Sequence, residues 1–148
     1  MKLARVLRYL NRTKELTLQL RGTSALHISA YIDASYGTHG DFKSHSGIFI
    51  SIGKGPIYCS SSKQKLNSKS STEAEMIAVS DGLNHVLWLR NLLCEQGYVL
   101  PPATVFQDNM SAISLFKSGK SQSSIRTRHI GIRFFFVKDR MESKEIRV

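Results

Sequence analysis

The sequence predicts an α/β fold in which one mixed sheet is layered with helices. Three observations predict it. Three strand-like segments with turn signals between them come early, at residues 25–33, 46–52 and 56–61. A long segment with a broad apolar stripe at helical spacing follows, at about residues 70–97. After it, short strand-like and helical segments alternate to residue 148. Antiparallel strands followed by alternating helices and strands pack as sheet-plus-helix layers. No internal repeat is present.

Taken in order, residues 2–12 place Leu3, Val6, Leu7 and Leu10 at helical spacing, with Arg5, Arg8 and Arg12 on other faces. Leu16, Leu18 and Leu20 alternate and predict a short strand. The RGTS stretch at 21–24 is a turn or linker, and a domain boundary is expected there, separating residues 1–24 from 25–148. In the strand at 25–33, Leu26, Ile28, Ala30 and Ile32 share one face, although Tyr31 can also pack, and Asp33 stands at its end. Gly53-Lys54-Gly55 marks a hairpin between the next two strands. Residues 61–71 read as a polar loop. The long helix carries Met76, Ile77, Val79, Leu83, Val86, Leu87, Leu92 and Leu93, with Gly97 as its C-terminal cap. Trp88 sits beside Leu87 and is expected in the core. Residues 103–107 form a strand leading to Asp108-Asn109, and a helix spans 110–118. The stretch at 119–128 is a small, polar, basic loop. A helix over 129–142 turns Ile130, Phe134 and either Val137 or Phe136 inward, and 145–148 begins another strand.

Composition narrows the function. With 148 residues and 41% hydrophobic content, one domain with a real core is expected. Lys and Arg number 21 against 11 Asp and Glu, a formal net charge of +10 that favours a polyanionic partner. Cys59 and Cys94 lie far apart with no metal-ligand spacing, which indicates neither a zinc site nor a disulfide framework. No apolar run approaches the ~20 residues of a membrane span, and the N-terminal stretch lacks the apolar block of a signal peptide.

Asp33 and Asp108 stand at strand ends, and Glu75 stands in the first turn of the long helix. Such positions can bring carboxylates together on one rim of a sheet. Clustered carboxylates repel unless a divalent cation lies among them, and a pair of Mg²⁺ ions can drive phosphodiester hydrolysis. Each acid also has a local alternative. Glu75 can close a capping box with Thr72, in competition with a Ser70–Glu73 register, and Asp33 and Asp108 can serve as turn or N-cap residues.

Several strings resemble the ribonuclease H region of copia-type retrotransposon Pol polyproteins. They are YIDASYGTHGDFKSHSG, SSKQKLNSKSSTEAEMIAVSDG, WLRNLLCEQGY, FQDNMSAI and RTRHIGIRFFFVKDRMESKEI, in that order, and together with KLARVLRYLNRTKELTLQL, which resembles the end of the reverse transcriptase connection, they cover essentially the whole chain. The resemblance implies a ribonuclease H-like five-stranded mixed sheet flanked by helices, with the last strand and C-terminal helix incomplete. It implies Mg²⁺-dependent hydrolysis of the RNA strand of RNA–DNA hybrids, with two Mg²⁺ (or Mn²⁺ in their place). Asp33 would bridge both ions, and Glu75, rather than Glu73, and Asp108 would each hold one. Hybrid contact would fall to Ser35, Lys63, Gln64, Lys65, Asn67, Ser70 and Asn109, and to a second basic cluster of Arg126, Arg128 and His129. His129 is alternatively a helix-start residue or a proton shuttle. The implied partner besides the hybrid is the reverse transcriptase domain of the same polyprotein, with no membrane, in a cytoplasmic virus-like particle or the nucleus.

Two departures from the family pattern stand out. The fourth acid of the family follows the fifth strand, where this sequence stops, and Gly131 stands where relatives commonly carry Asp. A catalytically impaired remnant and a plain nucleic-acid-binding module are therefore competing readings. An integrase-type core fits less well, because there the Glu follows both Asp residues.

Overall fold

The structure is a computed structural model that describes residues 2–21, 26–118 and 128–148, with the side chains of Arg128 and His129 outside the description. Its elements are α1 (Lys2–Thr13), β1 (Ser29–Ser35), β2 (His45–Ser51), β3 (Pro56–Lys63), α2 (Ser71–Glu95), β4 (Ala103–Phe106), α3 (Met110–Ser118), α4 (Arg128–Glu142) and β5 (Ile146–Arg147). One five-stranded sheet runs in the order β3-β2-β1-β4-β5. The β1–β2 and β2–β3 pairs are antiparallel, whereas β1–β4 and β4–β5 are parallel. Parallel neighbours need a long crossover, and the segments carrying α2 and then α3 and α4 supply them.

Strand alternation divides the sheet into two unlike faces. Ile28, Ala30 and Ile32 of the β1 segment, Ile48 and Ile50 of β2, Val105 of β4 and Ile146 of β5 are buried in one core with α2, α3 and α4. From the helices, Ile77, Val79, Leu83, Val86, Phe116, Phe134 and Val137 complete it, each under 3% exposed. Of the two inward residues expected in α4, Val137 is the buried one and Phe136 only packs at the margin. Close approach of α2 to the sheet depends on Gly82. A Cβ there would fall 2.6 Å from Ile32 Cδ1.

The other face is open. Tyr31, Phe49 and Phe106 lie in register across β1, β2 and β4. The Tyr31 ring stacks on Phe106 at 4.5 Å and meets Phe49 edge-on at 5.8 Å. All three remain more than a third exposed.

The helix ends show why α2 starts and stops where it does. Ser70 is the N-cap, its hydroxyl accepting from the Glu73 N–H at 3.2 Å, and Glu73 accepts from the Lys69 N–H at 2.7 Å. Of the two competing registers the Ser70–Glu73 one forms, which leaves Glu75 out of the cap. At the other end Gly97 takes φ +91°, with Gly97 N–H donating to Cys94 O and Tyr98 N–H to Leu93 O. That is the Schellman pattern the glycine predicts.

Three expectations need correction. Residues 16–20 are not a strand. Leu16, Leu18 and Leu20 are 62–75% exposed, and among the described residues it is Arg21, just after the segment, whose carbonyl accepts from Lys54 N–H beside the sheet. Trp88 is not core, being 66% exposed beside Ile57, Tyr58 and His85. Ser62 and Lys63, read as loop, extend β3, which ends at Lys63. The α1 helix forms as expected, but none of its residues is buried. The linker read at 21–24 falls mostly outside the described residues.

Candidate metal centre and nucleic-acid interface

Asp33 is carried near the end of β1, opposite Gly47 of β2. Glu75 sits one turn into α2, and Asp108 follows β4 in the short link to α3. One carboxylate oxygen from each lies within 4.8 Å of the other two. This is the only cluster of three or more His, Cys, Asp or Glu ligand atoms among the described residues. Asp33 and Asp108 are exposed at the rim of a hollow of about 620 Å³ on the open sheet face, while Glu75 is only 4% exposed.

Among the described residues no Lys or Arg pairs with any of the three acids. Burial holds the Glu75 carboxyl above its ordinary value, and the charges of Asp33 and Asp108 push the same way. Hydrogen bonds from Gln107 and the Ala34 backbone oppose that shift without cancelling it. A donor set of three carboxylates, with no cysteine or histidine, suits a hard divalent cation such as Mg²⁺. The residues present therefore fit the ion that the sequence resemblance implies.

The local alternatives for the two aspartates can be settled from hydrogen bonds. Asn109, not Asp108, caps α3, its Oδ1 accepting from the Ala112 N–H at 3.0 Å. Asp33 lies in extended strand and not in a turn.

The other expected contact residues differ in how they stand in the structure. Ser35, Lys65 and Asn67 are exposed and free to meet a backbone. Lys63 is exposed and paired with Asp41 at 2.6 Å. Ser70 and Asn109 are half-buried caps whose side-chain oxygens are already engaged. Gln64 is a correction. It is 4% exposed and donates to Ser46 Oγ and Ala74 O, both at 2.9 Å, so it fastens β2 to α2 and cannot reach a ligand backbone. Arg126 and the side chains of Arg128 and His129 lie outside the described residues.

Sequence reasoning missed Gln107. Its Nε2 donates to Glu75 Oε2 at 3.0 Å and to Ile32 O at 3.4 Å, and its Oε1 accepts the Asn109 N–H at 2.9 Å. The available signal was parity. Gln107 shares the helix-facing side of its strand with buried Val105, an unusual place for a polar side chain.

No protein-family model matches the chain. In sequence it is similar to the retrovirus-related Pol polyprotein from transposon RE2 of Arabidopsis thaliana, 35% identical over 99% of the chain and 10% of that protein. It is likewise similar to that from transposon TNT 1-94 of Nicotiana tabacum, 31% identical over 97% of the chain and 11% of that protein. The chain thus spans about a tenth of the length of these curated relatives. In structure it is similar to the N-terminal RNase H domain of rv2228c from Mycobacterium tuberculosis, with TM-score 0.55 and 10% identity over 83% of the chain and 78% of the other. It is also similar to LC11-RNase H1 crystallised in complex with an RNA/DNA hybrid, with TM-score 0.51 and 14% identity over 78% of the chain and 77% of the other. At these identities the structural likeness is one of fold. In sequence the chain is thus similar to a segment of retrovirus-related Pol polyproteins from transposons, and it has a ribonuclease H-like fold.

Proposed function

We propose that the chain hydrolyses the RNA strand of RNA–DNA hybrids, using divalent cations held by Asp33, Glu75 and Asp108. The observation that carries this reading is the meeting of three carboxylates, from β1, α2 and the end of β4, within 4.8 Å of one another. Three negative groups at that spacing destabilise one another in the absence of a cation. Bound Mg²⁺ or Mn²⁺ supplies a water of lowered pKa and offsets charge on the leaving oxygen.

The chain's own residues supply position and attraction. The sheet rim holds Asp33 and Asp108 open to solvent, where a phosphodiester can approach, and α2 holds Glu75 behind them. Lys65 and Asn67, in the loop before α2, and Ser35, two residues after Asp33, are exposed and would contact sugar and phosphate. Selection of RNA requires hydrogen bonds to 2′-hydroxyls, which Ser35 and Asn67 have the chemistry to make. The net charge of +10 draws the polyanion in. The Pol relatives and the hybrid-bound structural neighbour support the same reading.

A second partner follows from α1. Its Leu3, Val6, Leu7 and Leu10 are 52–71% exposed, with no partner among the described residues. We propose that this stripe docks on the reverse transcriptase domain of the same polyprotein.

The test is cleavage of an end-labelled RNA–DNA hybrid. Cleavage of the RNA strand that needs Mg²⁺ and disappears in Asp33→Asn is the expected result. Salt-sensitive hybrid binding without cleavage, indifferent to Mg²⁺, would leave a binding module and end the nuclease reading.

A further inference from the structure

Among the described residues, Gln107 is the side chain that joins the strands and the helix of the acidic site. It stands just after β4, beside Asp108 in sequence. Its amide nitrogen reaches Glu75 of α2 at 3.0 Å and the Ile32 carbonyl of β1 at 3.4 Å. Its amide oxygen takes the N–H of Asn109 at 2.9 Å, and Asn109 caps α3. The orientation of the amide is fixed by these partners. The nitrogen has two hydrogens and faces two acceptors, while the oxygen faces a donor, and turning the amide over would set oxygen against the Glu75 carboxylate and the Ile32 carbonyl.

We infer that Gln107 is a positioning residue. It holds Glu75 Oε2, fixing the plane of that carboxylate, and at the same time sets the backbone that carries Asp108. The inference rests on the divalent-cation reading of the site and adds to it a residue that touches neither ion nor substrate. Three features favour positioning over plain packing. Glu75 is only 4% exposed and its carboxylate faces those of Asp33 and Asp108, so without a donor of its own it would turn away from them. Gln107 is its only side-chain hydrogen-bond donor among the described residues. The same amide reaches the residue before Asp33 and the residue after Asp108, so a shift of Gln107 disturbs all three acids together. Residues behind metal-holding groups change metal affinity about 10- to 100-fold when replaced.

The experiment measures Mn²⁺ binding to the metal-free chain by calorimetry or electron paramagnetic resonance, and needs no catalytic turnover. Gln107→Met keeps length and bulk but removes the hydrogen bonds. It is expected to weaken Mn²⁺ binding at least about tenfold with the far-UV spectrum unchanged. The same substitution in a Glu75→Gln background is expected to cause a clearly smaller further loss, because the part of the effect that runs through Glu75 is already gone. Gln107→Asn, one methylene too short to span the three partners, is expected to follow Gln107→Met and replaces it if the Met variant does not fold. Equal losses in both backgrounds, or full affinity in the folded variants, would overturn the inference while leaving the nuclease reading intact. A wild-type chain with no Mn²⁺ binding that depends on Asp33 would instead overturn the nuclease reading, and the inference with it.

Discussion

Glu75 sets the chemistry of the site at the scale of single residues. Its carboxyl is raised above the ordinary value chiefly by burial, with Asp33 and Asp108 adding to the effect. The folded chain therefore holds that proton to higher pH than the unfolded chain does. In chelator, stability is full below the unfolded value and falls as pH rises through the raised folded value. Melting temperatures measured in EDTA from pH 4 to 7 should fall on this account, and Glu75→Gln should remove that part of the slope and melt higher than wild type at pH 7. Added Mg²⁺ should raise the wild-type melting temperature at pH 7 and leave Glu75→Gln less affected. A slope identical in the two proteins would contradict the assignment.

Residue types and their order exposed the three acids in the sequence, because strand ends and a helix start are where a sheet rim gathers side chains. Which glutamate joins them was less plain. Glu73 and Glu75 both suited a cap, and only the Ser70 hydrogen bond to Glu73 assigns the roles. Gln64 looked available because its neighbours Lys63 and Lys65 are polar, yet the chain there is still leaving β3, and the alternation turns Gln64 under α2.

Among the elements, α2 is the part on which the others lean. It contributes buried residues from Ala74 to Leu93 and packs on β1, β2, α3 and α4. Its close approach to the sheet is set at Gly82. A methyl group there meets the end of the Ile32 side chain, which is only 2% exposed and must shift within a packed core. Gly82→Ala should cost about 1–3 kcal/mol, the range of overpacked cores, read as a lower urea midpoint with unchanged slope. An unaltered midpoint would mean that α2 and β1 are looser than described. Most elements were legible because periodicity, caps and turn signals agreed with one another. Residues 16–20 misled because alternation of leucines describes a strand only when a partner strand accepts it, and none does among the described residues. Trp88 misled because it adjoins the apolar stripe of α2, but its rotation on the helix carries it past the edge of the sheet.

For the whole molecule, the core is built without α1. Every buried residue of the hydrophobic cluster lies between Ile28 and Ile146. Removing residues 1–21 should therefore leave the melting temperature within about 2 °C, equivalent to the few tenths of a kcal/mol typical of surface changes, while it improves solubility by deleting an exposed leucine stripe. A large loss of stability would show that α1 packs on the domain in solution. The same removal takes away Lys2, Arg5, Arg8, Arg12, Lys14 and Arg21, with Glu15 the only acid deleted beside them. Weaker hybrid binding with a shallower salt dependence would then assign part of the nucleic-acid contact to this arm. Sheet order was not legible at this scale, since nothing local in the sequence says that β4 and β5 add beside β1 and not beside β3.

The exposure of Trp88 has a spectroscopic consequence. It is the sole tryptophan, it is 66% exposed, and it lies beside the stacked Tyr58 and His85 rings. An indole already in water changes emission wavelength little when the polypeptide melts, so fluorescence would understate unfolding of the sheet and α2. The same emission would instead register any apolar molecule that settled against Ile57 and Leu89.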